Sequence, residues 1–159
     1  MKPRDAYRIA GMMLVVALAA GGSGFRNEVW KDELSFWSDV VRKNPAKERG
    51  YYNLGCVRAK QGDIAWAFDL FNKAIAINPS YYEAYHQRGN AYDDLGKPAE
   101  ALRDYNTVIA IVPDYAEAYY DRGLSYERMG ILEKARADYE RGCERGSRRA
   151  CRERAYLAP

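Results

Sequence analysis

The chain has 159 residues, 30% of them charged and 13% aromatic, enough to bury one continuous core. Its one histidine, His86, and its three cysteines, Cys56, Cys143 and Cys151, are too few and too scattered for a metal centre or a zinc knuckle. No glycine-rich phosphate loop and no nucleophile motif is present, so neither catalysis nor a cofactor is expected.

Residues 1–26 differ in kind from the rest. Lys2, Arg4 and Arg8 precede IAGMMLVVALAA, and no charge appears from Ile9 through Phe25. A spanning helix needs about 20 apolar residues, and this uncharged run sits at the short end of what can span. A secretory signal has a shorter apolar region and a small-residue cleavage site such as Ala17-Leu18-Ala19. Both readings fit, and both make this a membrane-targeting segment. The basic flank keeps the amino terminus in the cytoplasm and sends residues after 27 to the periplasm or exterior, anchored or released. The absence of cysteine near Gly21 to Gly24 argues against a lipid-anchored form.

Residues 27–47 read as a single leading helix, Glu28 to Asn44, closed by Pro45. Beyond it the chain repeats itself at one fixed interval, the one that separates Pro45 from Pro79 and Pro79 from Pro113. Gly55, Gly89 and Gly123 fall in one column, Gly62, Gly96 and Gly130 in a second, Ala67, Ala101 and Ala135 in a third, and Phe71, Tyr105 and Tyr139 in a fourth. Trp37 and Val40 extend the columns of Phe71 and Ala74 back into the leading helix. Tyr51 with Leu54, Tyr85 with Tyr92, and Tyr119 with Tyr126 give each first helix an apolar stripe. The glycines at 62, 96 and 130 sit where a helix ends in a left-handed cap. The pairs at 78–79 and 112–113 stop the second helix, because the residue before proline avoids helical dihedrals.

Over residues 48–149 this pattern resembles the tetratricopeptide repeat (TPR), a helix-turn-helix module. The resemblance implies an all-α solenoid of three repeats, 48–81, 82–115 and 116–149, preceded by half a repeat and closed by a capping helix over 150–159. Gly142 replaces Ala74 and Val108 of the other units, and Ser147 stands where proline would recur, so the last hairpin is expected to loosen into the terminal helix.

The string RNEVWKDELSFWSDVVRKNP is similar to the junction in bacterial multi-spanning membrane proteins related to sugar transferases, where the last membrane helix meets an extracytoplasmic TPR tail. That machinery lies in membrane helices outside this sequence, so its activity does not carry over. The segment RGCERGSRRAC is similar to cysteine-rich bacterial helical-repeat proteins, in which such a pair bridges neighbouring helices. A Cys143–Cys151 disulfide in an oxidising compartment and two reduced, buried thiols both fit, with Cys56 a free thiol either way. Charge divides along the chain: residues 48–140 carry 11 basic and 15 acidic side chains, and residues 141–159 carry six arginines and two glutamates. The tail is short and interleaved with Glu144 and Glu153, which favours a solvated cap over a nucleic-acid site.

In stacked hairpins the first helices line the concave face. The residues one step round from the packing stripe there are Arg49, Tyr52, Cys56 and Lys60, then His86, Asn90, Asp93 and Asp94, then Glu117, Tyr120, Asp121, Leu124 and Glu127. Some TPR domains clamp a peptide's terminal carboxylate through lysine, asparagine and arginine at such positions. Tyr52, Cys56, Gln87, Glu117 and Asp121 stand in the corresponding places here, so that clamp is missing. The acidic, tyrosine-bearing groove is expected to favour a peptide or protein segment with basic and apolar residues. Two functions follow: a membrane-tethered protein-interaction module, or a non-recognising accessory tail of a membrane sugar-transfer system.

Overall fold

The computed structural model describes residues 33–156. The segment expected to target a membrane, residues 28–32 of the expected leading helix and residues 157–159 of the expected cap lie outside the described residues. Among those described, eight helices follow one another: α1 over 33–43, α2 Glu48–Lys60, α3 Ile64–Ile77, α4 Tyr82–Asp94, α5 Pro98–Ile111, α6 Ala116–Arg128, α7 Leu132–Glu144 and α8 Arg148–Tyr156. No strand occurs among the described residues, and no described helix is long and apolar enough to cross a membrane.

Two kinds of turn alternate, and the sequence dictates each. Inside a hairpin the chain reverses at Gly62, Gly96 or Gly130, with φ of +84°, +70° and +73°. There the glycine amide and the next amide reach back to the last turn, as in Gly96 N to Asp93 O at 3.0 Å and Lys97 N to Tyr92 O at 2.9 Å. That region is strained for any residue with a Cβ. Between hairpins, Asn78 and Val112 adopt extended φ of −133° and −131° ahead of their prolines, so the second helices stop there.

The hairpins α2/α3, α4/α5 and α6/α7 pack internally and stack in order, with first helices touching first helices. Glycine makes the internal approach close enough. A Cβ on Gly55, Gly89 or Gly123 would stand 2.7, 2.7 or 2.6 Å from Cε1 of Phe71, Tyr105 or Tyr139. Each aromatic ring rests against the bare glycine backbone of the facing helix, and Ala67, Ala101 and Ala135 are fully buried in the same second helices.

A polar element shares this core. Arg88 donates to both oxygens of Asp104, at 2.8 and 2.6 Å, and to Asn72 Oδ1 of the preceding repeat at 2.5 Å. One period later Arg122 does the same to Asp138, at 2.7 and 2.7 Å, and to Asn106 at 2.6 Å. Each trio ties two helices of one hairpin to the second helix of the hairpin before. In the first repeat the same positions hold Leu54 and Leu70, both buried.

The end of the last hairpin differs from the sequence expectation. Instead of loosening, the chain makes a fourth glycine turn, with Gly146 at φ +98° and Ser147 N bonded to Gly142 O at 2.9 Å. The capping helix starts at Arg148, ahead of the expected position 150, and packs on α7 and α6. Gly142 explains the fit, since a Cβ there would meet Ala150 Cβ at 2.9 Å and Ala116 O at 3.2 Å. Cys143 and Cys151 form a disulfide between the two helices, and Cys56 is a free thiol.

Candidate functional site: the concave face

Helices α2, α4, α6 and α8 lie side by side and present one surface. A ladder that recurs at the repeat interval joins them at its rungs. The ring of Tyr81 meets Tyr52 edge-on at 5.4 Å, Tyr115 meets His86 edge-on at 5.1 Å, and the Arg149 guanidinium lies 4.4 Å over the ring of Tyr120. Positions 81, 115 and 149 stand immediately before or at the start of the next helix on this face, so each helix is seated on the one before. By this register α8 stands where a fourth repeat would begin. Tyr52, His86 and Tyr120, expected from the sequence as ligand contacts, are each covered by the next helix of the face. The recurrence of Tyr81 and Tyr115 at the repeat interval was the available signal.

The carboxylates also have internal partners. His86 Nε2 donates to Asp121 Oδ2 at 2.7 Å, because an ionised carboxylate only accepts, and Tyr115 Oη stands 3.4 Å from the other ring nitrogen. Asp93 Oδ2 accepts from Ser125 Oγ at 2.6 Å, and the single hydroxyl proton of Tyr105 is shared between Asn90 Oδ1 at 2.8 Å and Asp93 Oδ2 at 3.1 Å. Glu127 accepts from Tyr139 Oη at 2.6 Å. Glu117 accepts from Ser147 Oγ at 3.0 Å and pairs with Arg149. Asp121, Glu117 and Glu127 are each engaged by a neighbouring side chain, and of the three Glu117 pairs with an arginine. Asp94 is exposed and makes no ion pair among the described residues.

Among the described residues, a shallow pocket of about 280 Å³ opens between α4 and α6. Five expected groove residues line it, Asn90, Asp93, Asp94, Asp121 and Leu124, together with Tyr105 and Arg128. Tyr52 and Cys56 lie apart on α2, where Tyr52 packs 6.4 Å from Phe71 of α3. Burial pushes the Cys56 thiol above its usual range. It likewise pushes the Tyr81 hydroxyl up to about 12, and raises Tyr52, Tyr105 and Tyr139 further, the last two also disfavoured as phenolates by the carboxylates they donate to. These hydroxyls remain donors at every physiological pH. No group of acidic, histidine or cysteine side chains that could hold a metal occurs among the described residues.

This repeating hairpin, with its glycine-on-ring packing and ladder of first helices, defines a helical-repeat solenoid. Models of the tetratricopeptide repeat match residues 48–81, 70–103 and 116–145, and a model described as TPR repeat matches 89–130. Among solved structures, the chain resembles the first TPR of Spaghetti (RPAP3) bound to the HSP90 peptide SRMEEVD, at 30% identity over 70% of this chain and 90% of that one, TM-score 0.66. It resembles MamA at 27% identity over 84% and 73% of the two chains, TM-score 0.68. It shares its fold with YrrB, a TPR protein with an unusual peptide-binding site, at 23% identity over 86% and 71%, TM-score 0.70. No curated protein sequence matches. The chain belongs to the tetratricopeptide repeat family.

Proposed function

We propose that this protein is an interaction module that binds a segment of a partner protein along the face made by α2, α4, α6 and α8. The observation that carries the reading is the pocket between α4 and α6, where Asn90, Asp93, Asp94 and Leu124 converge from two repeats without being covered by the inter-repeat ladder. The RPAP3 domain, a relative of similar extent, holds a peptide. The expected ligand here differs from that acidic-ended peptide, because no lysine–asparagine–arginine clamp is present and the pocket carries Asp93 and Asp94. It is a segment with basic and apolar residues. Residues 9–25 tether the module to a membrane, and Lys2, Arg4 and Arg8 orient the repeats outward.

Selection from a random peptide library displayed on phage, using the full chain in detergent as bait, tests the binding reading. Peptides whose retention falls with Leu124→Arg support it. A library that yields no peptide sensitive to this change would point instead to an accessory tail. For the tether, an alkaline-phosphatase fusion at the carboxyl terminus should be active and a fluorescent cytoplasmic reporter dark. The reverse pattern would rule out export.

A further inference from the structure

Asp93 is unlike the other carboxylates of this face. Its side chain is 7% exposed, and Oδ2 accepts two hydrogen bonds, from Ser125 and Tyr105. Its second oxygen, Oδ1, is buried and accepts none among the described residues. A buried acceptor left without a donor is costly, more so when the group is charged. Arg128 reaches across from α6 and puts Nη1 at 3.3 Å from this oxygen, close enough for an ion pair but not aligned as a hydrogen bond, while half of its side chain stays in solvent. Around the same pocket Asp94 has no ion pair among the described residues, and Asp121 is taken by His86. A donor is therefore wanted at Asp93 Oδ1, and the surrounding charge selects a cation over a neutral amide. Leu124 supplies an apolar wall for the methylene stem of such a side chain.

We propose that this pocket receives one basic side chain of the bound segment, a lysine or arginine, which donates to Asp93 Oδ1, lies between Asp94 and Leu124, and displaces Arg128 toward solvent. The proposal rests on the groove reading and adds the residue that decides which segments bind. Arg128 is the chain's own partial occupant, so a basic segment must displace it, whereas a neutral segment leaves it in place.

The test uses a groove-binding peptide from the phage selection and versions in which each lysine becomes norleucine and each arginine citrulline, measured against the full chain by fluorescence anisotropy. One basic position should matter, its neutral version binding about 10- to 100-fold more weakly, as expected for a hydrogen bond to a charged group. Asp93→Asn should erase most of the difference between charged and neutral peptides. Arg128→Ala should tighten the charged peptide several-fold and leave the neutral one unchanged, whereas Arg154→Ala, with the same change in net charge, should alter the binding of neither peptide. Should Asp93→Asn disturb the fold through Tyr105 and Ser125, Asp94→Asn and Arg128→Ala carry the same comparison. Neutral peptides that bind as well as charged ones, or an Arg128→Ala effect matched by Arg154→Ala, would overturn the proposal and leave the groove reading intact. Failure to select any groove-dependent peptide would overturn the groove reading itself.

Discussion

The repeated arginine–aspartate pair offers a test of how this solenoid is held together, because the first repeat already contains the apolar version. Asp104→Leu alone would leave the Arg88 guanidinium between helices with only Asn72 to accept from it. Breaking a buried pair in this way typically costs about 3–5 kcal/mol. A loss of about 3 kcal/mol is expected, at the lower edge of that range, because 19% of the Arg88 side chain remains in water. Arg88→Leu/Asp104→Leu recreates the arrangement of Leu54 and Leu70, which are 6% and 4% exposed at the equivalent positions. Exposed Asn72 loses its donor but can hydrate. The double variant should therefore lie within about 1 kcal/mol of the parent, since well-packed apolar replacements of buried pairs are commonly neutral or stabilising. Urea unfolding of the full chain, followed by far-ultraviolet circular dichroism, should show the double variant about 2–3 kcal/mol more stable than Asp104→Leu alone. A double variant as unstable as the single one would show that the trio is indispensable to this fold and that the first repeat is no guide to the second.

Other expectations follow from the same geometry. Gly89→Ala should cost about 1–3 kcal/mol by forcing Tyr105 off its seat, and Ala101→Leu a similar amount by overpacking a fully buried contact; parent-like melting in either would refute the close-contact assignment. Unreduced, denatured protein from an oxidising compartment should alkylate once, at Cys56, and Cys143→Ser/Cys151→Ser should lose about 2–3 kcal/mol by freeing the unfolded chain; three reactive thiols in the unreduced protein would reject the bridge. Stability should fall as pH rises above about 10, because Tyr52, Tyr105 and Tyr139 have folded pKa values raised above the unfolded value, so the unfolded chain releases protons first. A urea midpoint that stayed flat across that alkaline range would contradict the burial of these hydroxyls.

The fold was legible because its determinants are local and periodic. Glycine at 62, 96 and 130, proline at 79 and 113 after the second helices of the first two repeats, and small residues facing Phe71, Tyr105 and Tyr139 are local signals of a hairpin that recurs. The end of the array was less so: Ser147 in place of proline looked like a defect, whereas Gly146 beside it makes the turn and Gly142 admits α8. On the face made by the first helices the register showed which helices lie side by side but not which side chains have internal partners. Whether Asp121 or Glu117 faces a ligand depends on His86 and Arg149, each contributed by a neighbouring helix distant in sequence. The covers Tyr81 and Tyr115 recur at the repeat interval and were readable in principle. Arg128 was not, since its role depends on Asp93 in the preceding repeat.

The central claim, that a partner segment lies along the first helices, is most directly tested by placing photoreactive benzoylphenylalanine at Leu124, in the pocket, and separately at Asn106, an exposed position on α5. On irradiation of cells making the full chain, the Leu124 position should yield a discrete adduct whose formation a selected groove peptide suppresses, and the Asn106 position should yield none. Adducts from Asn106 alone, or a Leu124 adduct indifferent to the competing peptide, would contradict the account.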